Sequence, residues 1–130
     1  MDIYFTDPNE VPLPPEEVRI RELRAEPWED GRRVHVYLEI DPSQQRPNAD
    51  LLIMDEYERV FAATSIIESM ERRIELTMHL RAANPGGRYQ LSATVFFAEI
   101  PEEPPAEQGQ DPVQKTVVDE RRVWFEIAQS

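Results

Sequence analysis

Cysteine is absent from the 130 residues. That single absence removes a disulfide framework, a thiol nucleophile and a zinc–thiolate centre from consideration. Histidine is scarce: His35 and His79 are the only two, which leaves little material for the nucleophile–base pairs of covalent catalysis. No stretch approaches the ~18 apolar residues of a membrane-spanning helix. The opening MDIYFTDPNE has no basic region and no long apolar run, so it does not read as a secretory leader, and a cytoplasmic protein is the expectation. Positive charge is also short, with 14 Lys and Arg against 26 Asp and Glu, a net charge of −12. Such a balance argues against sequence-independent binding to nucleic acid or to an anionic membrane, both of which need a basic surface. A basic protein or peptide is the electrostatically easier partner, and the same acidity also maintains solubility.

What the sequence does have is proline, and proline draws the map. The 12 prolines fall at 8–15, 27, 42, 47, 85 and 101–112, and the four glycines at 31, 86, 87 and 109. Proline cannot donate to a sheet ladder, so these positions mark ends and loops. Between them lie short runs of alternating apolar and polar residues, the pattern of half-buried strands. VRIRELRAEPW begins with Val18 and Ile20 on one face and continues with Leu23 and Ala25 on the other parity, a shift at Arg21–Glu22 that reads as a bulge or as a strand changing sheets. RRVHVYLEID sends Val34, Val36, Leu38 and Ile40 inward. ADLLIMD, VFAATSII, RRIELTMHLRA, RYQLSATVFF and VWFEI supply the rest, with Leu76, Met78, Tyr89, Leu91, Ala93, Val95, Phe125 and Ile127 on the inner parity. SIIESMERRIEL also fits a helix through Ile66, Met70 and Ile74. The cleaner period of two from Ile74 to Leu80 favours two strands joined at Glu68–Glu71.

Seven strands separated by turn signals every ten residues or so predict one all-β domain, an antiparallel sandwich. The expected organisation is an extended N-terminal segment over 1–17 and a sandwich over 18–130, with a loop insertion at 100–116. NPGGRYQLSATV carries a more specific resemblance. It is similar to the turn and sixth strand of bacterial immunoglobulin-like and fibronectin type III-like domains, in which a Tyr opens the strand and an apolar or Cys residue follows two positions on. Tyr89 and Leu91 match those places. The resemblance implies an immunoglobulin-like β-sandwich; the Trp and Cys pair of antibody-type domains are missing, so no antibody-like relationship follows. It implies little about function, since the class hosts many unrelated ones.

Few residues stand in patterns that carry chemistry. His35 and His79 are both mid-strand and outward, on a diagonal near Tyr37 and Glu39 if the second and fifth strands pair, which is conceivable as a surface metal site but ordinary for outward histidines. Asp2, Asp7, Glu10, Glu16 and Glu17 cluster at the start, and Glu99, Glu102, Glu103, Glu107 and Asp111 around the proline loop. None shows the tight D-x-[DN]-x-[DN]-G spacing of a calcium loop. No two carboxylates are set apart for acid–base work. The reading is therefore not an enzyme, with no cofactor and no metal.

The aromatic residues say more. Phe96 and Trp124 have outward parity, and LLIM cannot bury all four side chains on one face, so Leu52 and Met54 point out as well. If the third, sixth and seventh strands are neighbours, Leu52, Met54, Phe96 and Trp124 form one outer apolar patch, the candidate binding site. Either the N-terminal residues Ile3, Tyr4, Phe5, Val11 and Leu13 cover it, or an unknown protein partner or a homodimer does, or a register shifted by one residue turns these side chains inward. The expected function is a non-catalytic binding or assembly module acting through protein–protein contacts. The alternative is a small-ligand or carbohydrate-binding sandwich stacking its ligand on Trp124, Phe96 or Tyr37. PEEPPAEQGQDP, residues 101–112, reads as an insertion between the last two strands, used for recognition or simply solvated.

Overall fold

The computed structural model describes residues 11–82, 85–99 and 114–128. After a single 3-10 turn at Pro15–Glu17 come seven strands: β1 (Ile20–Pro27), β2 (Arg33–Ile40), β3 (Asn48–Asp55), β4 (Val60–Ile66), β5 (Arg73–His79), β6 (Gly87–Glu99) and β7 (Gln114–Ile127). They form two antiparallel sheets, ordered β1-β2-β5 and β4-β3-β6-β7. The antibody constant-type order would seat the fourth strand beside the fifth. Here β4 pairs with β3 instead.

Alternation produces the core directly. Val34, Val36, Leu38 and Ile40 of β2 face Leu51 and Ile53 of β3 and Leu91, Ala93 and Val95 of β6 in one buried cluster. The parity shift in β1 is a register shift between Ile20 and Glu22, and it lets Ile20 and Leu23 both be buried. Tyr89 lies inward with its ring edge-on to Phe61 at 5.9 Å and stacked on Phe125 at 5.8 Å. Burial, then the nearby Asp55 carboxylate, push its hydroxyl pKa up. The segment 66–76 forms no helix. Asn48 Oδ1 accepts the Glu68 N–H and the Pro47 carbonyl accepts the Ser69 N–H, both at 2.8 Å, so the chain turns where a helix would have had to continue.

The last strand starts earlier than its apolar run suggests. β7 starts at Gln114, inside the expected insertion 100–116, because β6 and β7 continue as a two-stranded ribbon beyond Asn48, where β3 begins, through the pairs Phe97–Thr116, Ala98–Lys115 and Glu99–Gln114. The stretch 101–112 itself lies outside the described residues. In the N-terminal segment, Leu13 makes a parallel bridge to Ser43 and packs on the core, so it does not lie over the outer face of the four-stranded sheet. Val11 is exposed, and Ile3, Tyr4 and Phe5 lie outside the described residues.

The two long sides of the sandwich differ. Along β1 and β7 the sheets are latched by side chains: Asp119 Oδ2 accepts the Ile20 N–H at 2.8 Å, and Arg121 donates to the carbonyls of Ile20 and Arg21 at 2.9 and 3.2 Å. Along β4 and β5 the edges stand apart around a cleft of about 520 Å³ lined by Phe61, Ala62, Leu76 and Met78, among others. One backbone bond crosses at its end, from the Arg81 N–H to the Phe61 carbonyl at 2.9 Å.

Candidate binding face

The outer face of the four-stranded sheet is built in rows, because antiparallel partners stand directly opposite one another. The first row runs Val60–Met54–Gln90–Trp124 across all four strands. The second runs Ala63–Leu52–Ser92–Arg122, and the third Ser65–Asp50–Thr94–Glu120. The fourth holds Asn48, Phe96 and Val117. All four residues expected on this face occupy it. Met54 and Phe96, though buried, stand outside the core cluster.

They do not form one patch. Leu52 and Met54 adjoin on β3, Trp124 lies in Met54's row but beyond Gln90 of β6, and Phe96 is six residues along β6 from Gln90, about 20 Å away at strand rise. Between them lie Ser92, Thr94 and Asp50. Strand parity gives the face of a residue but not its row, and the rows were decided by pairings that the sequence does not display.

The first two rows hold most of the apolar residues of this face, Val60, Met54, Ala63 and Leu52 on β4 and β3 and Trp124 on β7, parted by Gln90 and Ser92 of β6. Trp124 is 47% exposed and Val60 53%. Arg88, one step further along β6, lays its guanidinium 4.3 Å from the centre of the Trp124 ring, a cation–π contact that holds the indole in place. Beside it the β3–β4 turn is closed by Asp55, whose Oδ1 accepts the N–H groups of Tyr57 and Arg59, both at 2.9 Å, and whose Oδ2 pairs with the Arg59 side chain. Burial alone would raise the Asp55 pKa; the Arg59 backbone and side chain outweigh it and hold the carboxyl below its ordinary value. Exposed Tyr57 is carried on that turn. Arg88 and Val60 were not singled out in the sequence. Arg88 shares Trp124's outward parity, but its contact depends on the β6–β7 register.

The other end is polar. Lys115 sits 4.7 Å above the Phe96 ring and 3.8 Å from Asp50, which also accepts from Ser65 at 2.7 Å. Phe96 is only 3% exposed. Tyr37, the third aromatic considered for stacking, belongs to the opposite sheet, where its hydroxyl donates to Glu39 at 2.8 Å and Arg24 covers its ring at 4.4 Å. Trp124, Phe96 and Tyr37 therefore share no common platform.

The remaining candidates fall on the three-stranded sheet or outside the described residues. His79 is opposite Arg33, and His35 opposite Thr77, so the two histidines are diagonal neighbours as their spacing suggests. Glu75 lies 3.9 Å from His35. Among the described residues, no group of three or more His, Asp and Glu is placed to hold a metal ion. Glu39 is the hub of this face: it accepts from Tyr37 and pairs with Arg73 at 3.4 Å and Arg72 at 3.3 Å. The Tyr37 hydrogen bond, with the two arginines, lowers the Glu39 pKa against the opposing effect of burial. Glu16 and Glu17 are exposed in the 3-10 turn. Asp2, Asp7, Glu10, Glu102, Glu103, Glu107 and Asp111 lie outside the described residues.

No protein-family model matches the sequence, and no curated protein matches it either. Solved structures do resemble the fold. A glycosyl hydrolase family 2 member from Bacteroides cellulosilyticus DSM 14838 superposes with a TM-score of 0.50 at 12% identity, over 85% of this chain and 15% of that one. A Bifidobacterium dentium beta-glucuronidase gives 0.50 at 17% identity, over 87% of this chain and 18% of that one. The chain thus spans less than a fifth of either enzyme, and at such identities the likeness is one of β-sandwich fold alone.

Proposed function

We propose that the chain is a non-catalytic binding or assembly module that acts through protein–protein contact, with the first two rows of the outer face as its contact surface. One observation carries this reading: Trp124 stands 47% exposed on edge strand β7 with Arg88 braced on its ring, in a row that continues through Gln90 and Met54 to exposed Val60 at the far edge of the sheet. Binding energy at protein interfaces concentrates in Trp, Tyr and Arg surrounded by apolar contacts, and a grouped apolar surface marks an interface more often than scattered residues do.

Wild type and Trp124→Glu, used as crosslinking baits and then titrated against the purified partner, test the proposal. Loss of a central Trp anchor should weaken binding by about 2 kcal/mol or more, roughly 30-fold. Equal affinity of the two proteins sinks it. A glycan array with hits that Trp124→Glu loses would move the reading to a sugar-stacking sandwich, and clear turnover in a hydrolase screen would move it to an enzyme.

A further inference from the structure

A two-sheet sandwich has four edge strands, here β1, β5, β4 and β7. Natural sheets protect their edges with charged side chains, proline and bulges, because an edge offers unpaired N–H and C=O groups to any passing strand. Three of the four follow that rule. β1 carries Arg21, Glu22, Arg24, Glu26 and Pro27, β5 carries Arg73, Glu75 and His79, and β7 carries six charged residues between Lys115 and Glu126 and a register shift after Val95 of its partner. β4 reads VFAATSI, with no charge and no proline. Its own register shift and the Arg81–Phe61 bond lie at its first turn. Ala62 to Ile66 remain a regular strand, and among the described residues nothing pairs with its free side.

We propose that β4 is an intermolecular pairing edge and that its occupant is β4 of a second copy, joined antiparallel around a two-fold axis. Charge selects this occupant. Two chains of −12 each repel one another, so a self-contact is least opposed where the surface carries no charge, and of the four edges only β4 meets that condition. The strand is also self-compatible: small residues (Ala62, Ala63, Thr64, Ser65) let two backbones approach without steric conflict, and an isologous contact needs no second component. A two-fold perpendicular to the sheet would join two four-stranded sheets into one of eight strands. Both Trp124 faces would then lie on the same side, a bivalent version of the surface proposed above. The pairing itself does not depend on that surface being used.

Sedimentation velocity over a concentration series, combined with amide hydrogen exchange, tests it. Wild type should sediment as a monomer–dimer equilibrium, with the amides of 62–66 more protected at high concentration. Ala63→Lys, at an exposed edge position, should raise the dimer dissociation constant at least tenfold, and Ser65→Lys provides a second variant should the first fold poorly. Trp124→Glu should leave the equilibrium unchanged. Dimerisation that Trp124→Glu abolishes and Ala63→Lys spares would assign self-association to the face and overturn the edge. So would a wild type that stays monomeric throughout. Protection of 62–66 that is independent of concentration and vanishes when residues 1–10 are deleted would make the chain's own N-terminus the occupant.

Discussion

At the scale of single residues, the molecule separates side chains that hold the fold from those that face outward for other purposes. Glu39 belongs to the first group. Its hydrogen bond from Tyr37, aided by Arg73 and Arg72, keeps its folded pKa below the ordinary 4.5. A carboxyl depressed in this way stabilises the fold fully above its unfolded pKa, and that contribution is lost as pH falls through the folded value. Wild type should therefore lose thermal stability below pH 4.5 more steeply than Glu39→Gln, which has no such proton to take up. Parallel melting-temperature profiles for the two proteins would show the hub to be energetically idle. Trp124 and Arg88 belong to the second group, and only half of that pair was legible. An outward Trp announces itself by parity; the cation that braces it is named only once Gly87 to Glu99 are set in register against Gln114 to Ile127.

At the scale of elements, period-two alternation together with the continuous apolar run ADLLIMD located the seven strands, and the irregularity in β1 was visible as a change of parity at Arg21–Glu22. Three things were not visible, for one physical reason. The sheet to which β4 attaches, the early start of β7 and the row that places Phe96 away from Met54 are all decided by pairings between residues distant along the chain, on which local alternation is silent. The latch is the extreme case, since Asp119 and Ile20 are separated by 99 positions. Ile20 is 2% exposed, so its N–H has little access to water when its acceptor is removed. Asp119→Ala should destabilise the protein by about 1–3 kcal/mol, the penalty of an orphaned buried donor, as measured by urea unfolding. A cost within error would mean that the N–H finds another acceptor.

At the scale of the whole molecule, one core is shared by both sheets: every strand but β4 gives it a buried residue, Met78 in the case of β5, and β4 packs on it through half-buried Phe61, Ala62 and Ile66. The two tryptophans report on it from different places: Trp28 at the β1–β2 turn, stacked under Arg33 at 4.0 Å, and Trp124 on β7 of the other sheet. A single cooperative core predicts coincident unfolding midpoints for Trp28→Phe and Trp124→Phe, each followed by its remaining indole and corrected for the variant's own stability. Midpoints that separate reproducibly would mean that the sheets come apart in steps.

The unequal sides of the sandwich give that core a direction of breathing. Asp119 and Arg121 bind β7 to β1 like the spine of a book, and among the described residues a single backbone bond near Phe61 is the clasp at the fore-edge. Thermal opening that stops short of unfolding follows the weaker margin. The leaves then part at β4 and β5 while the spine stays shut, and water first wets the core between Phe61 and Leu76.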